Sequence, residues 1–429
     1  MASSNATVSL CAPSSFANPT VFGAQILSID ANLVTGYNDH IPDIYWFNHP
    51  SINVTDATFC NVTVTYTHPG EGDNVIVTAW LPPADAWNER LQAVGGGGWV
   101  AGGASFILSQ LGLAGGMAEG YATLTTDGGL GTASDASPWG LLTPGNVNLY
   151  LLENLASRSL YDEALIGKSL IKDFYSKPAK YSYWSGCSQG GRQGLMLAQR
   201  YPDLYDGIAA SAPAINWNAF FIGMIWPQLI MNIAGEYPHP CELDYITEAA
   251  VAACDGLDGV VDGLITDIKG CKFDPSSLVG TTFNCSETGK NIQISQIAAT
   301  VANATWSGPQ TVDGRFLWYG PNRGADLSGD FTGGQALATT TCTANSTCVG
   351  VPTDLGAEWI TLFIEKNPDF NLSSITHEQY DEIFHEGCQQ YSSIIDTTDP
   401  DLSAFKAAGG KMLGFHGLVR SPFSYLEPS

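Results

Sequence analysis

Between residues 62 and 80 polar and apolar positions alternate. Val62, Val64 and Tyr66 are separated by Thr63 and Thr65, and a β-branched run leads from Val75 through Ile76, Val77 and Thr78 to Trp80. A period of two built on such residues predicts sheet strands. Leu91 to Val94 is a short apolar run that stops at four consecutive glycines, 95–98, followed by Trp99. That reads as a strand feeding a glycine loop. From 148 to 175 the period lengthens: Leu149, Leu152, Leu155, Leu160, Leu165, Leu170 and Ile171 fall near one side, predicting a long helix packed on a sheet. Tyr181, Tyr183 and Trp184 mark a short aromatic strand; a glycine-rich turn follows, and residues 194–200 read as the start of a helix. Residues 208–213 have the apolar continuity of a parallel strand buried on both faces. Strands alternating with helices imply a doubly wound α/β sheet.

The pattern weakens between about 215 and 399, where turn residues multiply and cysteines stand at 241, 254, 271, 285, 342, 348 and 388. The expected organisation is a first part of the core over 1–214, an inserted lid domain over 215–400, and an incomplete return to the core over 401–429. In that return, 404–411 reads as the end of a helix and 412–416 as a strand. A chain of 429 residues can carry one large core with such an insertion.

Charge narrows the partners. Lys and Arg number 17 against 42 Asp and Glu, a net charge of -25, so polyphosphates and anionic lipid surfaces are repelled and neither nucleic acid nor membrane is expected as a partner. No apolar run is long enough to span a bilayer. Only 14% of residues are charged against 44% hydrophobic, so glycans or neutral polar groups must share the work of solubility. Sequons begin at Asn5, Asn53, Asn61, Asn284, Asn303, Asn345 and Asn371, and ten cysteines point to an oxidising compartment. Secretion is therefore expected, although residues 1–5 show neither the basic nor the apolar region of a signal peptide. No C-x-x-C pair occurs, so the spacing does not indicate a zinc site.

Two segments carry candidate chemistry. Gly186, Cys187, Ser188, Gln189 and Gly190 match G-x-S-x-G, set between a predicted strand and a predicted helix, where the motif lifts a nucleophilic serine above a sheet. The alternative is a glycine-rich turn with a capping serine. An ester's tetrahedral intermediate needs amide donors for its oxyanion; the amide of Gln189 and one from 95–98, taken near Gly97, are the candidates, unless that stretch is only a flexible loop. Residues 255–264 place Asp255, Asp258 and Asp262 at short intervals among glycines, an arrangement able to offer calcium both carboxylates and carbonyls, or else a pair of Asp-Gly turns. Cys254 and Cys271 bracket this loop, and a bridge between them would hold it closed; Cys342 and Cys348 are near enough to form a small staple. Within 215–400, Cys241, Cys285 and Cys388 then remain, an odd number, with Cys11, Cys60 and Cys187 before it also unassigned.

Residues 181–195, YSYWSGCSQGGRQGL, with AQRYP at 198–202 and DGI at 206–208, closely resemble the fungal tannase and feruloyl esterase family. The glycine quartet at 95–98, TDGG at 126–129 and the acidic loop fall in the family's order, so the resemblance covers nearly the whole chain. It implies an α/β-hydrolase whose lid carries calcium and whose substrates are esters of hydroxycinnamic or gallic acid. It implies Ser188 as nucleophile, calcium held by Asp255, Asp258 and Asp262 with the carbonyls of Val260 and Leu264, and bridges Cys254–Cys271 and Cys11–Cys60.

In the family a cysteine just before the nucleophile is bridged to one just after the catalytic histidine; Cys187 matches the first and nothing here matches the second. The acid lies in a segment resembling W-H-G-x-x-D, which reads Phe415, His416, Gly417, Leu418, Val419 and Arg420 here, with arginine in the acid's place and no histidine over 421–429. His416 is a poor stand-in, because its family counterpart is not the base. Two readings follow. One is a serine esterase lineage in which lid aromatics such as Phe220, Phe221 and Trp226 either stack on a phenolic acyl group or form lid core. The other is a truncated or frame-disturbed, catalytically dead homologue that at most binds phenolic esters or plant polysaccharide.

Overall fold

The computed structural model describes residues 10–43, 48–285, 287–329, 336–343 and 347–417. The chain divides into two compact units, one formed by the described residues of Met1–Asn216 with Ser393–His416, the other centred on Trp217–Ser392.

The first unit is built on an eight-stranded sheet: β1 (Gln25–Ile41), β2 (Ile52–Thr67), β3 (Val75–Leu81), β4 (Arg90–Val94), β5 (Ala122–Thr126), β6 (Tyr181–Cys187), β7 (Gly207–Ser211) and β8 (Lys411–Phe415). Their order is β1-β2-β3-β5-β4-β6-β7-β8. The first three strands are antiparallel and the run from β5 to β8 is parallel. The alternation in β2 does what its period requires. Val62, Val64 and Tyr66 are wholly buried while Asn61, Thr63 and Thr65 are half-buried.

Three helices of 12 residues or more cover this sheet: α1 (Ile107–Ala118), α2 (Ser159–Tyr175) and α3 (Gln189–Arg200). Leu160, Ala164, Leu170 and Ile171 of α2 and Met196 and Leu197 of α3 join Leu91, Leu124, Trp184 and Ile208 of the strands in one core. Each such large side chain contributes roughly 1.5–3 kcal/mol by leaving water. Helix α2 approaches the sheet so closely that a Cβ on Gly167 would lie 1.9 Å from Leu124 Cδ1.

Three features depart from the sequence reading. The helix foreseen from 148 is capped by Asn148, whose side chain accepts from the Leu151 amide, but it is interrupted by a π-turn at Asn154–Arg158 before α2 begins. Strand β1 and helix α1 were not anticipated. Residues 393–400, assigned from sequence to the insertion, belong to the first unit: the Thr397 amide donates to Ile215 O at 2.8 Å, and Gln199 Nε2 donates to Thr397 O at 2.8 Å.

The second unit packs Met231 against Leu243, Ile246 and Ala250 of α4 (Pro240–Cys254) and Val301, Ala302 and Trp306 of α5 (Gln296–Ser307). Two small hairpins, Thr282–Cys285 with Lys290–Gln293 and Thr340–Cys342 with Cys348–Gly350, also belong to it, beside further helices such as Trp226–Ala234. Among the described residues four disulfides are present: Cys11–Cys60 in the first unit, and Cys241–Cys285, Cys254–Cys271 and Cys342–Cys348 in the second. Cys241 and Cys285, left without assignment from sequence, are thus partners.

Candidate active site

The register of the parallel strands fixes where the candidate chemistry lies. Val94 pairs with Ser185, Cys187 with Ser211 and Ser211 with Phe415, so the segments that follow β4, β6, β7 and β8 leave the sheet along one edge. Ligands of open α/β sheets gather at that carboxyl edge.

Ser188 stands between β6 and α3 with φ 58° and ψ −114°, a conformation that a side chain rarely adopts. The surrounding glycines explain how it is reached. A Cβ on Gly186 would lie 2.4 Å from Gly190 O, and one on Gly191 would lie 2.5 Å from Ser211 O. Backbone bonds hold the bend on both sides. The Ser188 amide donates to Ser211 O at 3.0 Å, and Ser188 O accepts from Arg192 at 3.0 Å and from Ala214 at 3.2 Å. Ser188 itself is half-exposed, so the bend presents it at the surface of this unit rather than in its core.

The glycine quartet packs directly on the bend. Gly190 donates its amide to Gly96 O at 3.1 Å, and a Cβ on Gly95 would lie 2.6 Å from Gly190 Cα. Gln193 reaches from α3 to fasten the loop, its Oε1 accepting from the Gly96 amide at 3.1 Å and its Nε2 donating to Ala101 O at 2.8 Å. The stretch is therefore a hydrogen-bonded structure and not a flexible loop. Its amides are unequally engaged: Gly95 donates to Ser185 O at 3.2 Å, and Gly97 to Val100 O at 3.1 Å. The Gly97 amide singled out from sequence thus already has an acceptor. Gly98, with φ 56°, follows it at the tip of the turn. Gln189 is the first residue of α3, where the helix geometry leaves an amide without an intrahelical acceptor.

Sequence reasoning missed Arg192, the fully buried arginine that braces this site. Its Nε donates to Gln189 Oε1 at 2.7 Å, and its two terminal nitrogens donate to Leu155 O at 2.8 Å, Ala156 O at 3.0 Å and Ile395 O at 3.2 Å. Burial lowers its pKa to about 9, so it stays charged at neutral pH. The signal in the sequence was an arginine four residues after the candidate nucleophile. Cys187 is buried beside the nucleophile, and burial pushes its thiol up to about 12. His416 is exposed at the end of β8, which pairs with β7 and not with β6. Arg420 lies outside the described residues.

In the second unit, Asp255 is buried and opens a 3₁₀ turn, Asp255–Asp258, while Asp258, Val260, Asp262 and Leu264 are exposed. Asp255 accepts from the amides of Asp262 at 3.1 Å and Gly263 at 3.0 Å; Asp258 accepts from Val260 at 2.9 Å and Asp262 from Leu264 at 3.1 Å. The bridge Cys254–Cys271 spans the loop. The donors are all oxygen, as calcium requires, but the three carboxylates are not among the described clusters whose ligand atoms lie within 4.8 Å of one another. Phe221 and Trp226 are buried in this unit, Phe221 against Trp217 at 4.1 Å between rings, while Phe220 is half-buried.

A parallel sheet whose strand β6 ends in a serine of positive φ at the start of a helix defines an α/β-hydrolase. Residues 60–422 match the family model described as tannase and feruloyl esterase, and the chain belongs to that family of esterases. It is 40% identical over 402 residues to a probable feruloyl esterase of Arthroderma benhamiae, covering 94% of this chain and 71% of the relative. It is 29% identical over 405 residues to a tannase of Aspergillus oryzae, covering 85% of this chain and 66% of that one. The solved tannin acyl hydrolase from Aspergillus niger superposes with a TM-score of 0.84 at 30% identity, covering 97% of this chain and 75% of the other.

Proposed function

We propose that this protein hydrolyses carboxylic esters of aromatic acids, feruloyl or galloyl in type, through an acyl-enzyme on Ser188. The observation that carries the reading is the bend at Ser188, strained, half-exposed and flanked by glycines at which a side chain would crowd neighbouring backbone. The Ser188 hydroxyl attacks the ester carbonyl, and the Gln189 amide receives the developing oxyanion together with a loop amide. Gly98 suits the second donor better than Gly97, whose amide would first have to leave Val100 O. Arg192 acts through Gln189, holding the first turn of α3 in place.

The proton acceptor for Ser188 is not among the groups described at the bend, and Arg420 occupies the position where the resemblance places an acid. That substitution favours a second reading, a scaffold that binds aromatic esters without turning them over. The assay that separates the two is hydrolysis of p-nitrophenyl acetate and methyl ferulate by the 429-residue chain beside Ser188→Ala. Turnover lost in the variant supports the esterase; equal, background rates with retained methyl ferulate binding support the second reading.

The acidic loop is proposed as a structural calcium site, supported by its all-oxygen donors and its glycines. Binding would draw Asp258 and Asp262 toward Asp255 and the carbonyls of Val260 and Leu264. A calorimetric titration with Ca²⁺ that shows no heat, or one unchanged in Asp255→Asn, removes the proposal. Secretion is supported by the four disulfides and by the exposure of Asn53, Asn284, Asn303 and Asn371. Asn61 is a poor acceptor for a glycan, since it lies half-buried on β2 with its Oδ1 enclosed. In the described residues no helix is long and apolar enough to cross a membrane.

A further inference from the structure

His239 caps helix α4 and Cys241 lies in its first turn, while Cys285 ends the hairpin strand Thr282–Cys285 and Glu287 follows two residues later. Each segment thus offers two donors, two residues apart, and the two pairs face one another. His239 Nδ1 lies 3.1 Å from Cys241 Sγ, 3.8 Å from Cys285 Sγ and 3.7 Å from Glu287 Oε2. All four ligand atoms fall within 4.8 Å of one another. Cys241 and Cys285 are buried and His239 nearly so, while Glu287 stands at the surface.

We infer that this cluster is a thiol–disulfide switch whose reduced form is a zinc(II) site. The inference is independent of the esterase reading. Two thiolates, an imidazole and a carboxylate form a complete tetrahedral set for zinc, and in such a sphere no two donors are more than about 4.6 Å apart, twice the Zn–S distance. The backbone already suits both states. The Cα atoms of the two cysteines are 5.8 Å apart, and reopening the bridge to the roughly 3.8 Å that separates two sulfurs on one zinc needs side-chain rotation only. Local structure keeps the donors in place without metal: Glu242 accepts from the amides of His239 at 2.9 Å and Ser295 at 2.7 Å, so its oxygens are engaged there rather than competing. The spacing, H-x-C and C-x-E and not C-x-x-C, does not announce the cluster.

The chemistry is a two-electron reduction followed by metal exchange. A phosphine such as tris(2-carboxyethyl)phosphine breaks the S–S bond, takes oxygen from water to become its oxide, and leaves one proton on each of Cys241 and Cys285. Zinc(II) then displaces those two protons. The test reduces the full chain with that phosphine in the presence of equimolar Zn²⁺, removes excess by gel filtration and counts metal by mass spectrometry, with Co²⁺ as an optical probe in parallel. Expected are one zinc per folded reduced chain, none in the oxidised chain, and a cobalt spectrum with thiolate charge-transfer and tetrahedral ligand-field bands.

His239→Asn, which keeps a good helix cap but removes the imidazole, and Glu287→Gln should each weaken binding by more than ~10-fold. Cys342→Ser with Cys348→Ser should leave uptake unchanged. Zinc that persists in Cys241→Ser with Cys285→Ser, or affinity indifferent to both His239→Asn and Glu287→Gln, overturns the inference. So does a reduced chain that takes up no metal, folded or not.

Discussion

Replacing His68 by leucine should be among the most damaging single changes outside the bend at Ser188. His68 is 1% exposed at the end of β2, with Nδ1 2.6 Å from Asp73 Oδ2 and Nε2 3.0 Å from Asp162 Oδ2. Glu71 stands 3.9 Å away but is held by Arg158 at 2.6 Å. Asp73 also accepts from the His68 amide, Thr67 Oγ1 and Asn154 Nδ2, and Asp162 from Tyr66 Oη. Leucine matches the ring in bulk but leaves two enclosed carboxylates facing one another without a cation. Breaking a buried pair in this way costs about 3–5 kcal/mol. At 2–4 °C per kcal/mol for a unit of this size, the melting temperature should fall by about 10 °C.

The two carboxylates hold the His68 pKa above its ordinary value despite burial, and hydrogen bonds hold Asp73 below its own. A raised histidine contributes stability that is complete below its unfolded pKa of about 6.5 and is lost as pH climbs through the folded value. A lowered aspartate contributes stability that is complete above about 3.9 and is lost as pH falls through the folded value. The difference between wild type and His68→Leu should therefore be largest between about pH 4 and 6.5 and shrink as pH rises above that range. Adding Asp162→Asn to the variant should recover part of the loss by removing an uncompensated charge. Scanning calorimetry across that range decides it: a shift under about 2 °C near pH 5.5, or one that grows with pH, would show that the imidazolium network is not what holds this corner.

Three further outcomes are expected. Glu163 is wholly buried on α2 with neither oxygen hydrogen-bonded, and burial raises its pKa well above the usual range. Its charge opposes folding increasingly as pH rises above about 4.3, so Glu163→Gln should raise the melting temperature near pH 8 and hardly at all near pH 4; parallel melting curves would contradict the assignment. Gly186→Ala drives a methyl to 2.4 Å from Gly190 O and should cost about 1–3 kcal/mol in urea unfolding, an unchanged midpoint being the adverse result. Cys187, with its thiol pushed up to about 12, should resist iodoacetamide in the native chain at neutral pH and react on unfolding, as peptide mapping would show; rapid native labelling would count against its burial.

What could be read in the sequence was what is local. The bend at Ser188 lies within five consecutive residues, and the clash that requires Gly186 acts across those same residues, against Gly190 O. Strand β2 was legible because its inward positions are apolar and its outward ones threonine. Strand β1 was not: polar residues such as Ser28, Asp30 and Asn32 interrupt its pattern, and most of its 17 residues are exposed or half-buried. Helix α1 carries three glycines and no side-chain cap, so its propensity argues against the helix that packing enforces, with a Cβ on Gly112 only 3.1 Å from Val94. The pairs His68–Asp162, Arg192–Leu155 and Cys241–Cys285 join residues tens of positions apart. No period or short motif announces such pairs.

The π-turn at Asn154–Arg158 shows why those distant pairs matter to the site. A π-turn misaligns carbonyls that an α-helix would satisfy internally, and such turns are uncommon except where something outside the helix takes them up. Here the carbonyls of Leu155 and Ala156 are taken by Arg192, one turn beyond Ser188. On the same turn, Asn154 Nδ2 donates to Asp73, a partner of His68, and Arg158 pairs with Glu71, which stands 3.9 Å from the same ring. The irregular turn is thus held from one side by the buried ion network and from the other by the helix that carries the nucleophile. A backbone strained at Ser188 persists only where its surroundings over-determine it. Arg192 supplies that constraint from within α3, and the His68 network fixes the turn against which Arg192 pulls.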